Sequence, residues 1–540
     1  MLRGENVVLQ VMAIASIRFC SCLILVAGIM AGQDGARWWR HVEFLADDKL
    51  EGRNTGSAGH KKAADYVAAQ FERAGLKPAG MDGGYIQPVK FATRTIDEAG
   101  SSVGLVRGGK TTALKLGDEV VIGLRTDPAA RVEARLVFVG YGLTVPEQKF
   151  DDFAGLDVRG KVIVYLTGAP SGMPGALSSH YQSAGERGAN LKRVGAVGTI
   201  TIPNPKQMDI PWARSSLARL APAMSLADAS LEDGAGMKIG LTMNPAFADK
   251  LLEGSGRTFA EILDAANAGK ALPHFAIPAS LRATVAVKRG EVVSQNVAAV
   301  LPGSDPVLKG QYVVMSAHLD HIGVGAPING DSIYNGAMDN ASGVAALLDI
   351  AAMLHETQAR PKRSILFVAV TGEEKGLLGS RYFANHPTVP AAAIVADLNS
   401  DMFLPLFPLK LLTVYGLDES SLGDDVREVA KALGIGIQGD PEPLRNVFIR
   451  SDQYSFIRAG VPSLSLKVGY EKGSAEEGVA KRWLAERYHA PSDDLQQPVD
   501  KKSAGMFDSL VGKLLLKIAD EPERPRWKNE SFFKRYAKGN

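Results

Sequence analysis

Histidine and carboxylate side chains recur in five short segments of the second half of this 540-residue chain. The residues that could do chemistry there are His318, Asp320, Asp339, Glu373, Glu374, Asp401 and His489. Imidazole and carboxylate groups without a thiolate suit zinc or a similar divalent ion. Carboxylates gathered in one place repel each other unless a metal neutralises them. The set therefore predicts a hydrolytic site with two metal ions.

The elements around these residues alternate between strand and helix. Strands are predicted over residues 312–317, 365–370, 393–398, 411–415 and 462–466. Helices are predicted over residues 342–354, 377–385, 424–433 and 503–518. Such alternation is typical of an α/β fold with a mixed, mostly parallel central sheet covered by helices.

The predicted sheet explains how distant segments could meet. In open α/β sheets, ligands gather beyond the carboxyl ends of the strands. His318 and Asp320 follow one predicted strand, and their spacing of two residues directs both side chains to the same side. Glu373, Glu374 and Asp401 follow two further strands, and Asp339 begins a helix. All of them are therefore expected at one edge of the sheet.

Composition excludes several classes of protein. Apolar residues make up 46% of the chain, charged residues 22%, and the net charge is +2, so neither a nucleic-acid partner nor a strongly acidic one is expected. The two cysteines, Cys20 and Cys22, lie in an N-terminal apolar stretch that ends in small residues. This stretch is interpreted as a signal peptide over residues 1–32, which predicts a secreted or periplasmic protein. The alternative is an uncleaved membrane anchor. If the stretch is cleaved as a signal peptide, no membrane span is expected in the mature chain.

Changes in residue pattern along the mature chain indicate further divisions. We predict an N-terminal part of the main domain at 33–130, with a helix near 64–71 and antiparallel strands in 86–125. An inserted β-rich domain follows at 131–285, the main domain continues at 286–520, and a polar tail occupies 521–540.

From His318 to Asp494 the sequence closely resembles the M28 family of zinc aminopeptidases. The resemblance is carried by His318-Leu319-Asp320, by 338–343 (MDNASG), by 371–376 (TGEEKG), by 399–402 (NSDM) and by Tyr488-His489. More loosely, it extends over 40–285 and resembles the larger secreted members with an inserted protease-associated (PA) domain. The resemblance implies a zinc-exopeptidase fold, two zinc ions, peptide substrates and hydrolysis of N-terminal residues.

The resemblance also implies a role for each residue. Asp339 would bridge two zinc ions. His318 and Asp401 would complete one ion, and Glu374 and His489 the other. The remaining three residues would act on the reaction or on a ligand, with Glu373 as the general base toward a metal-bridging water, Asp320 orienting His318, and Tyr488 stabilising the oxyanion.

Alternative functions remain open. A carboxypeptidase or dipeptidase with the same metals would need a basic pocket, for which Arg445 and Arg450 are candidates. A glutaminyl cyclase is disfavoured, because both metal sets look complete, and so is a non-catalytic receptor or scaffold, because no ligand is missing. Among the less clear residues, His321 is interpreted as a loop histidine near the rim and Asp493 as the cap of the following turn. Gln453 stands where the family commonly has histidine.

Overall fold

The computed structural model describes residues 35–232, 236–445 and 447–538. The signal peptide predicted over residues 1–32 lies outside the described residues. The strands, numbered in chain order, are β1 Lys77–Pro78, β2 Ile86–Arg107, β3 Lys110–Leu114, β4 Val120–Gly123, β5 Arg131–Val139, β6 Thr144–Val145, β7 Phe150–Asp151, β8 Val162–Leu166, β9 Gly198–Ile202, β10 Ala223–Leu226, β11 Ile239–Met243, β12 His274–Leu301, β13 Tyr312–His318, β14 Gly323–Ile328, β15 Asp331–Tyr334, β16 Ser364–Val370, β17 Ile394–Asn399, β18 Leu411–Tyr415, β19 Gly436–Gln438 and β20 Ser463–Val468.

Helices cover the faces of the main sheet that most of these strands form. The α-helices are Ala36–Leu45, Ala58–Arg73, Gly175–Gln182, Ala184–Val194, Trp212–Ser215, Ala248–Leu252, Phe259–Asn267, Ser342–Glu356, Leu378–Asn385, Leu422–Ala432, Gln453–Arg458, Ala475–Glu486 and Lys501–Asp520. The predicted strands and helices after residue 290 are all present, with ends shifted by a few residues.

A single long sheet runs through the described part of the chain, in the order β19-β18-β20-β17-β13-β16-β12-β5-β8-β9-β11-β4. In the half from β19 to β12, strand β13 is parallel to β16 and β17, and β17 is parallel to β20. Strand β18 is antiparallel to β20, and β12 is antiparallel to β16. The predicted α/β architecture with a mixed, mostly parallel sheet is therefore confirmed.

The main hydrophobic core lies on one face of this half of the sheet. Its centre is helix Ser342–Glu356, which is buried along most of its length and packs against helices Ala36–Leu45 and Lys501–Asp520. The continuous stretch Ala337–Glu356 is also the one described helical segment long and apolar enough to cross a membrane, but 94% of its apolar window is buried inside the protein. This burial is typical of the core helix of a globular domain.

A second core lies under the other half of the sheet, from β12 to β4. It includes Val132 and Leu281 from the predicted insert, and also Val103 and Ile122, which precede it in the chain. The segment does contain the predicted helix–strand unit, as helix Ala184–Val194 followed by β9. Its identity as a protease-associated domain stays a prediction.

The C-terminal tail packs onto the body of the protein. Trp527 and Phe533 are buried in a cluster with Phe448 and Tyr454. The Arg535 guanidinium pairs with Glu147 of the β12-to-β4 half at 2.6 Å. The tail therefore connects the two halves of the sheet.

Candidate metal centre

The predicted residues converge at the carboxyl ends of β13, β16 and β17. His318 is the last residue of β13, Glu373 and Glu374 follow β16, and Asp401 follows β17. His489 comes from the loop after helix Ala475–Glu486. Parallel strands end at the same edge of the sheet, which is why residues up to 171 positions apart in the sequence meet here.

Asp339 lies between two histidines. Its Oδ1 is 3.3 Å from Nε2 of His318, and its Oδ2 is 3.3 Å from Nε2 of His489. The side chain is almost fully buried, in the turn just before helix Ser342–Glu356. The peptide bond between Asp339 and Asn340 is cis. One carboxylate thus offers one oxygen to each of two neighbouring positions.

Each of these positions has a further carboxylate. On the first side, Oδ1 of Asp401 is 3.4 Å from Nε2 of His318. On the second side, Oε2 of Glu374 is 3.2 Å from Nε2 of His489. The structure therefore brings together all five residues predicted as metal ligands.

The tautomer of His318 follows from its neighbour. Nδ1 of His318 lies 3.0 Å from the backbone carbonyl oxygen of Asp320. Because a carbonyl oxygen can only accept, Nδ1 carries a hydrogen and donates it, so Nε2, which faces Asp339 and Asp401, is the nitrogen that a metal would bind. An imidazole in this state is ready to bind a metal.

The carboxylate of Asp320 has a different position from the predicted one. Its Oδ1 is 4.0 Å from Nδ1 of His318, too far for a hydrogen bond. Instead, Oδ1 accepts the Glu373 backbone N–H at 3.1 Å and Oδ2 accepts the Thr55 hydroxyl at 2.9 Å. The side chain of Asp320 therefore anchors the backbone of Glu373, while its carbonyl holds His318.

His321 is not the rim residue that the sequence suggested. It is fully buried, and its Nδ1 lies 2.7 Å from Oε1 of Glu374 and 3.9 Å from Oδ2 of Asp339. Among the residues that the structure describes, these three form one of two groups of ligand atoms close enough to hold a metal; the other is His318, Asp339 and Asp401. The prediction for His321 was wrong because the loop after β13 turns inward beneath the site. The position of a single histidine in the sequence does not show the direction of this loop.

Several buried polar atoms at the centre make no well-aligned hydrogen bond among the described residues, although Nδ1 of His321 lies only 2.7 Å from Oε1 of Glu374. They include both ring nitrogens of His321, Oε1 of Glu374 and Oδ1 of Asp401. Leaving such groups unpaired is costly, and a cation between them would satisfy them. Nitrogen and carboxylate donors in this arrangement fit zinc or a similar ion.

The remaining two predicted residues flank the ligands. Glu373 lines the same cleft as Asp339 and Asp401, and burial, with Glu374 and Asp401 nearby, holds its pKa well above the usual range despite His318. Tyr488 also lines the cleft, with its ring centroid 4.0 Å from that of His489. Burial raises the pKa of Tyr488 to about 12, so its hydroxyl keeps its proton at neutral pH.

Asp493 holds the loop that carries Asp339, rather than capping the following turn as predicted. Its Oδ1 accepts the Met338 N–H at 2.9 Å, and its Oδ2 accepts the Asp339 N–H at 3.0 Å. Gln497 also donates to Oδ1 at 2.7 Å. Among the described residues, Asp493 is the acceptor of both buried N–H groups at 338–339, although it lies 154 residues from Asp339 in the sequence.

Asn340 connects the two loops that bring Asp339 and Asp401. Its Nδ2 donates to the Ser400 carbonyl at 2.9 Å, and its Oδ1 accepts the N–H groups of Gly343 and Met402. At Gly343 a Cβ atom would lie 2.2 Å from the Ser400 carbonyl oxygen, so only glycine allows this approach. The segment 339–343 therefore both supplies the ligand Asp339 and packs against the loop that carries Asp401.

Arg53, which the sequence did not single out, lies fully buried behind the centre. Its guanidinium donates to the carbonyls of Leu45, Leu319, Asn335 and Gly336. Burial lowers the pKa of Arg53 to about 10, and Asp493 and Asp320 oppose this shift. Arg53 thus fixes the backbone just before His321 and the backbone just before Asp339.

The other candidate residues are engaged elsewhere. Arg445 and Arg450 both pair with Asp209 of the β12-to-β4 half, at 2.8 and 2.6 Å. Gln453 is fully buried; it donates to the Phe448 carbonyl and accepts from Asn399. Neither arginine is free to form the basic pocket considered for a carboxypeptidase.

The sequence and the fold are similar to those of known proteins. Residues 296–515 match the sequence model of Peptidase family M28. The chain is similar to leupeptin-inactivating enzyme 1 of Streptomyces exfoliatus, with 30% identity over 207 residues, which are 37% of this chain and 43% of that protein. It is also similar to a probable leucine aminopeptidase 2 of Aspergillus oryzae, with 30% identity over 225 residues, covering 38% and 41% of the two chains. The match thus spans about two fifths of the length of these curated relatives.

A solved structure shares the fold over almost the whole chain. The aminopeptidase from Aneurinibacillus sp. strain AM-1 superimposes with a TM-score of 0.55 and 19% identity, covering 92% of this chain and 96% of that one. At this identity the likeness concerns the fold alone, and it supports the zinc-exopeptidase architecture. Together with the sequence match over residues 296–515, this fold supports membership of peptidase family M28.

Proposed function

We propose that the protein is a secreted zinc-dependent exopeptidase, an aminopeptidase that hydrolyses N-terminal residues of peptides. The observation that carries this proposal is the position of Asp339, whose two oxygens face two separate ligand sets. Its relatives include a probable leucine aminopeptidase and proteins named probable zinc metalloproteases. We place the signal peptide at residues 1–32 on the basis of the N-terminal apolar stretch, and we assign 131–285 to a protease-associated domain on the basis of the resemblance.

The ligand sets would hold two zinc ions. His318, Asp401 and Asp339 would bind one ion; Glu374, His489 and Asp339 would bind the other, with His321 in reach of the second. When bound, the ions would polarise the scissile carbonyl and lower the pKa of water. With a metal bound at Nε2, His318 would contribute as a neutral imidazole whose Nδ1 hydrogen is accepted by the Asp320 carbonyl.

Glu373 is the residue that transfers the proton in this proposal. Its carboxylate lines the cleft beside Asp339 and Asp401, and its backbone is fixed by Asp320. A carboxylate in this position takes a proton from the attacking water and returns it to the leaving amine. The Tyr488 hydroxyl, protonated at neutral pH, donates a hydrogen bond to the carbonyl oxygen as negative charge develops there.

The alternatives are less well supported. The arginines considered for a carboxypeptidase or dipeptidase, Arg445 and Arg450, are already paired with Asp209, so such an enzyme would have to bind the substrate carboxylate with a different cation. A scaffold without activity would not need the ligands, the general base and the tyrosine to remain in one cleft.

A matched pair of variants tests the proposal. Glu373→Gln should keep its metal but lose activity about 10²- to 10⁴-fold, since only the proton acceptor is removed. Glu486→Gln, an exposed glutamate just before the Tyr488 loop, is the control and should behave as the wild type. The substrates are Leu-p-nitroanilide and its N-acetylated form, with and without chelator. Cleavage of the free-amine substrate alone, abolished by chelator, is expected; equal cleavage of the acetylated substrate would exclude an aminopeptidase.

The signal peptide has its own test. Mass spectrometry of protein recovered outside the producing cells should show a chain that begins near residue 32. A chain that retains residues 1–31 would contradict cleavage.

A further inference from the structure

The cleft that contains the metal ligands extends into a pocket with an unpaired cation. Lys467 lines this pocket together with Asp339, Glu373 and Asp401. Among the described residues, the Lys467 ammonium has no ion-pair or hydrogen-bond partner. The two arginines in the pocket wall are paired, because Arg445 and Arg450 both bind Asp209 and Arg445 also binds Glu442.

The fold positions Lys467 beside the metal centre. It lies near the end of β20, the strand next to β17, and Asn399 of β17 is level with Ser465 of β20. Asp401 lies two residues after Asn399, and Lys467 lies two residues after Ser465. Burial and the cations of Arg445 and Arg450 lower the pKa of Lys467, whereas Asp401 and Asp339 raise it.

The rest of the pocket suits the stem of an acidic side chain. Its wall combines apolar groups with hydroxyl groups from Thr413, Tyr415 and Ser465, and Thr413 is the cross-strand neighbour of Lys467. The apolar part includes Met402, Leu404, Phe407, Val468, Ala480 and Leu484. A ligand with a few methylene groups ending in a carboxylate would satisfy both the apolar wall and the cation.

We propose that Lys467 forms a carboxylate-binding subsite beside the metal centre, so that the enzyme selects substrates with a negative charge close to the scissile bond. This inference rests on the proposed exopeptidase function. The carboxylate could be the side chain of an N-terminal acidic residue or the C-terminal carboxylate of a very short peptide. Both would present the same chemical group to the same ammonium.

Binding to the zinc-loaded enzyme is the first test and does not depend on turnover. Two pairs of small probes differ only in one charge: glutamic acid α-amide against glutamine amide, and Ala-Ala against Ala-Ala-amide. The wild type should bind the charged member of one pair about 10- to 100-fold more tightly, as expected for a charge-assisted hydrogen bond. The pair that shows the difference identifies the source of the carboxylate.

Variants show whether Lys467 causes the preference. Lys467→Met should abolish it and Lys467→Arg should retain it, whereas Lys410→Met, an exposed lysine just before β18, should leave it unchanged. Equal affinities within both pairs for the wild type, or a preference that survives in Lys467→Met, would overturn the proposal.

Kinetics separate this inference from the proposed function. With Glu- and Gln-p-nitroanilide, Lys467→Met should lower kcat/KM for the glutamyl substrate at least tenfold more than for the glutaminyl substrate, mainly through KM. An equal loss for both would mean that Lys467 only balances the charge of Asp401, which would refute the subsite. If no substrate is cleaved while the charge preference in binding persists, the exopeptidase proposal fails and the subsite stands.

Discussion

Asp493 and Asp494 are neighbours with identical side chains, and the structure predicts opposite consequences for their replacement. Asp493 accepts the N–H groups of Met338 and Asp339 with its two oxygens. In Asp493→Asn one of these oxygens becomes an NH₂ group that faces another donor. Asp494 is partly exposed; its carboxylate accepts the Gln496 N–H at 2.8 Å and lies 3.9 Å from the Arg487 guanidinium, and neither contact involves the 338–339 backbone, so Asp494→Asn is a matched control.

The magnitude follows from the lost interaction. A buried hydrogen bond to a charged acceptor contributes about 1.5–3 kcal/mol, and its loss at Asp493 would displace the backbone that carries Asp339. Replacing a residue that supports a metal ligand in this way typically weakens metal binding by about 10- to 100-fold. Asp494→Asn should change zinc affinity by less than about twofold, because its carboxylate does not contact the 338–339 backbone.

Zinc affinity can be measured by competition with a chromophoric chelator, and thermal unfolding of the metal-free forms gives the structural cost separately. A Kd for Asp493→Asn equal to that of the wild type would refute the argument that Asp493 positions Asp339. Equal weakening in both variants would refute the distinction between the two aspartates.

Three further predictions concern other groups around the centre. His321→Ala should lower zinc affinity or stoichiometry, since the imidazole lies 2.7 Å from Glu374; atomic absorption after dialysis checks this, and unchanged content would show that His321 is only a packing residue. Arg53→Met should lower the free energy of unfolding by about 3–5 kcal/mol in urea titrations, since backbone carbonyls of the site loops lose a buried cation; a loss under 1 kcal/mol would contradict this. Burial and the Asp349 carboxylate raise the pKa of Asp508 well above its usual range, so the stability that its proton provides is present in acid and is lost as pH rises through that pKa. Asp508→Asn should therefore be more stable than the wild type by about 1–3 kcal/mol at pH 8 and equal to it near pH 4; a gain independent of pH would contradict the argument.

The fold after residue 290 could be predicted closely because its strands are short apolar runs and its helices have regular apolar spacing. The central helix Ser342–Glu356 and strand β18 were predicted to within two residues. The convergence of His318, Asp339 and Asp401 also followed, since it depends only on which edge of a parallel sheet they occupy.

What could not be predicted depends on contacts between residues far apart in the sequence. The burial of His321, the role of Asp493 and the four carbonyl contacts of Arg53 arise from loops that pack behind the ligands, and no local pattern marks them. The pairing of Arg445 and Arg450 with Asp209 joins segments more than 230 residues apart. For the same reason, Lys467 is an ordinary strand residue in the sequence and a pocket residue only in the fold.

The central claim is that Asp339 bridges two metal ions, and anomalous diffraction at the zinc absorption edge tests it most directly. Crystals of the mature protein grown with zinc should give two anomalous peaks per chain, one on each side of the Asp339 carboxylate. The first should lie beside His318 and Asp401 and the second beside Glu374 and His489. A single peak, or two peaks of which neither contacts Asp339, would contradict the account.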